Sequence, residues 1–315
     1  MTDNQDKNNN PYAVIIGGAN MDICGAAIGT LISKDSNIGK IGSSSGGVAR
    51  NIAENLALLS CNCHLLSAIG NDPFGQTLIN HITSVGIHTD NILKLENEKT
   101  STYLSVLDGA GEMMVAINDM SIIENITPEY IKRHKTLIMN AHIIIADTNI
   151  PEETLLYLTT EFNSVPILID TVSTEKALKI KDCLHGIHSL KTNTLEAKAL
   201  TGISNNLSEM ADWFHNRGVL KVYITMGSDG VFYSDANGVG EFKHQKNHGD
   251  VKNVTGAGDA FSAGVAYAYL KSWGMVKSVH FAMAAATCAL NHENTINPEM
   301  SVKKITRIME QEYDN

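Results

Sequence analysis

The segment NVTGAGDAFSAG, residues 253–264, combines a glycine turn with a single acid. Gly256, Ala257 and Gly258 precede Asp259, and an apolar segment rich in Ala and Gly follows. A glycine turn that leads into a helix exposes unpaired backbone N–H groups at the positive end of the helix dipole, which suits a phosphate or a developing oxyanion. The Asp259 carboxylate could there take a proton from a hydroxyl that attacks phosphorus. The alternative is a helix cap, which these four residues by themselves favour.

A second junction, GGANMDI (17–23), directly follows the first predicted strand. Asn20 and Asp22 would therefore project from the carboxyl end of a strand, where open α/β sheets bind their ligands. The Asp22 carboxylate could accept hydrogen bonds from two neighbouring hydroxyls of a sugar. A junction of this kind on its own is more often structural than functional.

A third junction, SGGVARNIAENLA (45–57), places a double glycine before a predicted helix. Gly46 and Gly47 would let the backbone approach a ligand closely, and Asn51 would lie in the first turns of the helix. This pattern also occurs in ordinary strand–loop–helix connections, so the three junctions gain weight only in combination.

Short apolar runs alternate with amphipathic ones between these junctions. The apolar runs are nearly continuous and rich in Val and Ile, which is typical of parallel strands covered on both faces; they span 13–18, 64–70, 142–147, 166–170 and 222–227. Helical patterns span 50–60, 127–134 with Thr127 as N-cap and Pro128 in the first turn, 208–218 from Ser208 to a stop at Gly218, and 278–291. Strand–helix alternation predicts a doubly wound, mostly parallel α/β sheet flanked by helices.

Residues 24–45 and 100–118 break this alternation. The first segment is rich in Gly and Ser without a helical period, and the second contains two β-type runs around the turn sequence DGAGE. We predict a small β-sheet lid inserted into one domain spanning 12–315, after a disordered lead at 1–11. Such an appendage can close over a site or pair with a second subunit; a surface hairpin without function is the alternative.

Composition excludes several classes of protein. The 315 residues carry a formal charge of −10, which argues against a nucleic-acid surface as the main partner. No apolar run reaches the roughly 18 residues of a membrane span, and the polar N-terminus has no signal-peptide core. Five cysteines without framework or zinc spacing favour a reducing cytoplasm. His244 and His248 stand four apart in a loop-like stretch, so a helical metal pair is not expected.

Taken in order, the strand with N-x-D, the GG-x-x-x-N segment and the late G-A-G-D resemble the ribokinase-like (PfkB) family of carbohydrate and nucleoside kinases. The resemblance runs from about residue 13 to about residue 300. It includes KTNTLEAKAL (191–200), similar to the family's N-x-x-E segment, and ITMGSDGVFY (224–233), similar to its T-x-G-x-x-G nucleotide strand. It implies an ATP-dependent, Mg²⁺-using kinase whose lid is formed by residues 24–45 and 100–118.

The resemblance also implies a function for each matching residue. On the substrate side, Asp259 is the general base, the backbone N–H groups of Gly256, Ala257 and Gly258 form the anion hole, and the sugar is surrounded by Asn20, Asp22, Gly46, Gly47 and Asn51. On the nucleotide side, Asn193 and Glu196 serve the metal and its waters, and the nucleotide is lined by Thr225, Gly227, Gly230, Ala286 and Asn291. Lys191 either reaches a phosphate or stays solvated.

One position departs from the family pattern. Many members have an Asp two residues before the threonine of T-G-A-G-D and often use a monovalent cation next to the anion hole. This chain has Asn253 there. A potassium requirement is therefore left open.

Within the family, the finer resemblance is to the members that phosphorylate pseudouridine. It rests on GGVARNIAENLALL, TSTYLSVLDGAGEMMVAINDM, IIIADTNI and LKTNTLEAKALTGI, and it implies transfer to a nucleoside 5′-hydroxyl with Asn118 and Asp119 beside the nucleobase. A kinase of ribose or of another nucleoside is the nearest alternative, and a non-catalytic sugar- or nucleoside-binding protein is the second. The exposed strand edges of the lid favour a homodimer through the lid.

Overall fold

A computed structural model describes residues 11–243 and 251–313 of the chain. Its strands are β1 (Tyr12–Ile16), β2 (Asn20–Ala27), β3 (Gly39–Gly46), β4 (Asn62–Leu66), β5 (Ala68–Gly70), β6 (Leu93–Leu95), β7 (Thr102–Leu107), β8 (Met113–Asp119), β9 (Ile143–Asp147), β10 (Ile167–Asp170), β11 (Ser189–Asn193), β12 (Lys221–Thr225), β13 (Val231–Asp235) and β14 (Gly238–Phe242). Its α-helices are α1 (Val48–Leu58), α2 (Pro73–Ser84), α3 (Pro128–Arg133), α4 (Lys135–Met139), α5 (Glu152–Glu161), α6 (Thr174–Ala177), α7 (Thr194–Thr201), α8 (Leu207–His215), α9 (Ala257–Leu270), α10 (Met275–Leu290) and α11 (Val302–Tyr313). Residues 1–10 of the lead predicted at 1–11, and the pair His244 and His248, lie outside the described residues.

The main sheet has eight strands in the order β14-β13-β12-β11-β10-β9-β1-β4. The six strands from β12 to β4 are parallel, and β13 and β14 extend the sheet as an antiparallel edge. Parallel strands are covered on both faces, which is why their sequences are almost continuously apolar. The predicted doubly wound, mostly parallel sheet is confirmed.

Two apolar layers cover the sheet. One contains side chains of α1, α9 and α10 with the alternate strand residues Ala13 and Ile15. The other contains side chains of α5, α7 and α8 with Val14 and Ile16. Helices α1 and α9 pack against each other in the first of these layers. A hydrogen bond from Asn51 to Asp259 joins their first turns, so the double-glycine junction lies next to the glycine turn before Asp259.

A separate four-stranded sheet, called here the small sheet, has the order β3-β2-β7-β8. The strands β7 and β8 form the predicted hairpin, in which Gly111 takes a φ of 84° and donates to Asp108 O in the turn. Residues 24–45 contain no helix, as predicted. The small sheet begins earlier than expected, however, because β2 starts at Asn20.

Three details of the sequence prediction are wrong. The run 64–70 is two strands, because Ser67 donates its hydroxyl to Gly17 O and β5 turns away to pair with β6. Helix α8 begins after Asn206, whose side chain accepts from Glu209 N, instead of at Ser208. Strand β11 and the antiparallel edge strands β13 and β14 were not predicted, because their sequences contain no long continuous run of apolar residues. The cap at Thr127, which accepts from Tyr130 N, is confirmed.

Candidate active site

Polar side chains mark the carboxyl ends of four adjacent parallel strands. Asp147 ends β9, Asp170 ends β10, Asn193 ends β11 and Thr225 ends β12. The carboxyl edge of an open α/β sheet is where its ligands bind. The start of α9 closes over this edge and brings Asp259 to it.

Asp259 lies in the first turn of α9, directly after the glycine turn. The turn depends on Gly256, whose φ is 84° and whose position leaves no room for a Cβ beside Thr295 O. The Asp259 carboxylate is buried, and its Oδ2 accepts a hydrogen bond of 2.7 Å from Asn51 Nδ2. Burial, with Asp170 as the next cause, raises the pKa of Asp259 to about 7. A carboxylate with that pKa is suited to accept and release a proton near neutral pH.

Lys191 occupies the space between the strand ends and the glycine turn. Its Nζ is 3.1 Å from Asp170 Oδ2, and a Cβ built on Gly258 would lie 3.0 Å from the same Nζ. Ser262 Oγ donates to Asp170 Oδ2 at 2.8 Å and holds this carboxylate from the other side. Burial lowers the pKa of Lys191, but the nearby carboxylates, Asp170 first, outweigh it and raise the pKa. Lys191 is buried and paired, so the alternative that it stays solvated is wrong.

Asp147 fills the start of α1. Its Oδ2 accepts from the backbone N–H groups of Gly18 and Ala49, each at 2.9 Å, and its Oδ1 accepts from Asn149 N at 2.9 Å. Helix α1 begins at Gly47, which supplies no side-chain cap. The carboxylate of a distant strand therefore caps this helix, and burial raises the pKa of Asp147.

Asn193 and Glu196 form a capping box at the start of α7. Asn193 Oδ1 accepts from Glu196 N at 2.9 Å, and Glu196 Oε2 accepts from Asn193 N at 2.9 Å. Glu196 also accepts from Thr171 Oγ1 at 2.5 Å and from Asn193 Nδ2 at 2.7 Å. Glu196 is thus a buried carboxylate whose Oε2 accepts from several donors, whereas its Oε1 has one hydrogen bond, from Asn193 Nδ2, among those of the described residues.

The substrate candidates of the second junction (17–23) and the third junction (45–57) come together at the small sheet. The prediction that Asn20 and Asp22 project from the end of β1 is wrong, because the chain turns at Gly17 and both residues lie in β2. Asn20 Nδ2 donates to Asp22 Oδ1 at 2.6 Å, and the Asp22 carboxylate packs where a Cβ of Gly46 would be. Burial raises the pKa of Asp22. Gly47, with a φ of 99°, allows α1 to start against Gly18 O.

The two nucleobase candidates face opposite sides of the small sheet. Asp22, Tyr103 and Asn118 are register partners on β2, β7 and β8, so their side chains share one face. Asp119 is the next residue and faces the other side, where its Oδ1 accepts from Ser121 Oγ at 2.7 Å. These hydrogen bonds from Ser121 lower the pKa of Asp119. Of the pair, only Asn118 shares the face of Asp22.

The nucleotide candidates border the same edge of the main sheet. Thr225 Oγ1 donates to Thr192 O at 3.3 Å, and the turn after β12 uses Gly227 and Gly230 with φ of 60° and 102°. Ala286 is buried in α10, and Asn291 follows the end of that helix.

Asn253 ties two loops together beside the glycine turn. Its Nδ2 donates to Glu293 O at 2.9 Å, and its Oδ1 accepts from Thr255 N at 2.8 Å. The Asn253 amide nitrogen is therefore already occupied by the Glu293 carbonyl, next to the loop that precedes Gly256.

The sequence interpretation missed four residues of the site: Arg50, Tyr103, Asp147 and Asp170. Asp147 and Asp170 each end a predicted buried strand, and an acid at that position is a signal that could have identified them. Arg50 and Tyr103 lie inside motifs that were assigned to other residues. A cavity of about 190 Å³ lies at the opposite edge, near Ile187 and Leu220 before β11 and β12, and is separate from this site.

The chain resembles known proteins both in its sequence and in its fold. The family described as "pfkB family carbohydrate kinase" matches residues 10–302. The chain is 43% identical over 303 residues to the pseudouridine kinase of Escherichia coli strain K12, covering 95% of this chain and 96% of that protein. In fold it is similar to a carbohydrate kinase from Agrobacterium tumefaciens (TM-score 0.85, 24% identity, 95% and 97% covered) and to Arabidopsis thaliana ribokinase complexed with ribose and ATP (TM-score 0.84, 22% identity, 95% and 99% covered).

No helix in the described part of the chain has both the length and the apolar character needed to cross a membrane.

Proposed function

Since the chain belongs to the pfkB family of carbohydrate kinases and is a phosphotransferase with an alcohol group as acceptor, we propose that it phosphorylates the 5′-hydroxyl of pseudouridine. ATP is the donor, and the products are pseudouridine 5′-phosphate and ADP. The observation that carries the choice of substrate is the 43% identity to a pseudouridine kinase over nearly the full length of both chains. The order of motifs and the residues around Asp259 support the same reaction.

In the proposed reaction, Asp259 accepts the proton of the 5′-hydroxyl while the oxygen forms its bond to the γ-phosphorus. The bond from that phosphorus to the β–γ bridging oxygen breaks, and ADP leaves. The pKa of about 7 supports this role, since the carboxylate is ionised in a large fraction of molecules at neutral pH and is still basic enough to take a proton. Asn51 orients the carboxylate through its 2.7 Å hydrogen bond.

We propose that the backbone N–H groups of Gly256, Ala257 and Gly258 receive the charge of the transferring phosphoryl group. An uncapped helix start presents such donors with the favourable end of the helix dipole. The Nζ of Lys191 lies next to Gly258, where its charge would add to this stabilisation.

Mg²⁺ would supply charge neutralisation on the phosphates of ATP. No group of three or more His, Cys, Asp or Glu side chains that could hold a metal occurs in the described part of the chain. Mg²⁺ usually binds through phosphates and water with only one or two carboxylates, so the residues present fit this ion. We propose that Glu196, with Asn193 beside it, contacts the waters of the ion, and a higher Mg²⁺ requirement of Glu196→Gln would test this.

We propose a weak response to potassium. The Asn253 amide lacks the charge of an aspartate, and its Nδ2 already donates to Glu293 O. ADP release measured in NaCl and in KCl tests the point, and a strict potassium requirement would contradict it.

We propose that Asn118 recognises the nucleobase. Pseudouridine has a ring N–H at a position where uridine has C–H, so an acceptor that bonds to this group would be left unpaired by uridine. Such mismatches can discriminate by about 10⁴-fold or more. The Asn118 side chain has an amide oxygen and shares the face of Asp22 and Tyr103, which supports it over Asp119.

We propose a homodimer formed through the small sheet. The face that Asp22 does not share carries the exposed apolar side chains Ile41, Leu104, Val115 and Ile117. A second copy of this sheet would cover apolar area and strand edges together. Sedimentation of Ile117→Glu against the wild-type chain tests the interface.

We also propose a cytoplasmic location. Five free thiols support it, and cell fractionation would test it.

The proposed function is tested by ADP release with pseudouridine, uridine and ribose. We expect kcat/KM for pseudouridine to exceed the other two by at least about two orders of magnitude. Asn118→Ala should reduce this preference, and Asp119→Ala is the matched control because its side chain faces away. Equal or greater activity on uridine or ribose would overturn the substrate and leave the kinase family unaffected.

A further inference from the structure

Arg50 is a buried cation next to the proposed base, and the reaction described above does not use it. Its side chain is 2% exposed, and arginine is almost never fully buried without partners. The guanidinium has four. Its Nε donates to Gly46 O at 3.3 Å, its Nη2 to Ser45 O at 2.6 Å and to Asn51 Oδ1, and its Nη1 to Glu54 Oε2.

The contact with Asn51 determines which end of that amide faces the base. A primary amide has an oxygen that only accepts and a nitrogen that only donates. Arg50 holds the oxygen, so the nitrogen points to Asp259 Oδ2 at 2.7 Å. In the flipped amide, an oxygen would face the carboxylate and the hydrogen bond would be lost.

The contacts with Ser45 and Gly46 hold the end of β3. This strand end belongs to the small sheet, and the Asp22 carboxylate packs directly on Gly46. The same guanidinium therefore connects the strand beside Asp22 with the helix that carries Asn51. Only a planar fork with several fixed donors can make these contacts together, and an ammonium group at this position could not.

We propose that Arg50 is a positioning residue that fixes the Asn51 amide and the end of β3 in the arrangement in which Asp259 accepts the proton of the substrate. The proposal rests on the proposed function for the identity of the reaction. The Glu54 carboxylate balances the charge of Arg50. Its Oε2 also accepts a hydrogen bond from His81 Nε2 at 3.0 Å. This second contact keeps the Glu54 carboxylate in place at the boundary between α1 and α2.

Two effects of losing Arg50 follow from these contacts. The Asn51 amide becomes free to rotate, so turnover should fall. The affinity for ATP should be retained, because none of the residues proposed to line the nucleotide is among the four partners of Arg50. The hydrogen bond from Asn51 lowers the pKa of Asp259, so its loss raises that pKa above about 7. Asp170, Lys191 and Asp147 also act on Asp259, but none of them is among the four partners of Arg50. The charge of Arg50 itself also interacts with Asp259, and Arg50→Lys keeps this charge, so the shift in that variant reports the orientation of the amide.

The experiment compares Arg50→Lys with the wild-type chain, and Arg217→Lys serves as the matched control because Arg217 stacks on Trp213 at the surface. We expect kcat of Arg50→Lys with pseudouridine to fall at least about tenfold, the size of a small misplacement of reacting groups, with KM for ATP unchanged. The acid limb of the pH–rate profile should move up by about one pH unit, the effect of one hydrogen bond to a charged group. Unchanged kcat and an unmoved acid limb would overturn the proposal.

A second variant covers the case in which Arg50→Lys does not fold. Arg50→Met with Glu54→Met removes both charges of the buried pair at similar volume, a replacement that proteins often tolerate. It should show the same fall in kcat and an upward shift that is at least as large, because it also removes the Arg50 charge that acts on Asp259. A folded double variant with wild-type kcat and an unmoved acid limb would overturn the proposal.

A measurement without substrate separates this proposal from the proposed function. The ionisation of Asp259 can be followed by ¹³C NMR of aspartate-labelled protein, with Asp259→Asn to assign the signal. Both Arg50 variants should raise the midpoint by about one unit. If the wild-type chain does not phosphorylate pseudouridine, the proposed substrate is wrong, yet the shift in Arg50→Lys, which keeps the charge at position 50, still decides whether Arg50 orients the amide. An unchanged midpoint overturns the proposal whatever the substrate is.

Discussion

The starts of α1 and α9 lie next to each other and are built alike, but one is closed and the other is open. Both helices begin at a glycine with positive φ, 99° at Gly47 and 84° at Gly256, and neither glycine supplies a side-chain cap. The start of α1 is closed by the Asp147 carboxylate, which accepts from Ala49 N. The start of α9 has no such cap among the described residues and carries Asp259 instead.

The difference shows how two similar glycine junctions serve different purposes. A helix start whose N–H groups are bonded by a carboxylate of the same chain is satisfied and stabilises the fold. A helix start without that partner is suited to an anion from outside. The Asn51–Asp259 hydrogen bond joins the two, so the closed start supports the open one.

The largest expected effect is at the open start. Asp259→Asn removes the proton acceptor but keeps the shape of the side chain, so turnover should fall by about 10²–10⁴-fold while substrate binding is retained. ADP release and equilibrium binding of pseudouridine measure the two properties. A variant that keeps more than about a tenth of wild-type turnover would show that Asp259 is not the general base.

The corresponding change at the closed start should affect stability instead. Asp147→Asn places an amide nitrogen among three N–H donors, those of Gly18, Ala49 and Asn149. Leaving buried donors unpaired should lower the free energy of unfolding by about 2–4 kcal/mol. Urea denaturation measures it, with the exposed Asp182→Asn as the control. Wild-type stability of Asp147→Asn would mean that the two starts do not differ as described.

A smaller effect is expected from Asp170, which ends β10 and accepts a hydrogen bond from Ser262 of α9, next to the open start. After burial, the Asp170 carboxylate is the next cause that raises the pKa of Asp259 to about 7. Asp170→Asn removes that charge, so the pKa of Asp259 should fall and the acid limb of the pH–rate profile should move to lower pH by about one unit. This shift is opposite to the one expected for the Arg50 variants. An acid limb that stays in place or moves up would exclude Asp170 as a cause.

The sequence predicted much of the fold because its signals are local. Nearly continuous apolar runs identified β1, β9, β10 and β12, and the turn DGAGE identified the hairpin of β7 and β8. It missed β11 (Ser189–Asn193), because Leu190 is the single apolar residue of that strand and no continuous apolar run marks it. It joined β4 and β5 because a bend at Ser67 depends on a hydrogen bond to Gly17, a residue 50 positions away.

The candidate site shows the same division. Glycine turns before helices and the acid of T-G-A-G-D are short patterns, so the sequence by itself determined the family resemblance, Asp259 and the double glycine. The pairing of Asn51 with Asp259, 208 positions apart, and the capping of α1 by Asp147, 98 positions away, were decided only by the tertiary structure. The physical reason is that a hydrogen bond between distant segments depends on where the parallel strands end and how the helices pack on them, and no local pattern contains that information. The same holds for the face of the small sheet on which Asn118 lies, because the register between strands, and not the residue type, distinguishes it from Asp119.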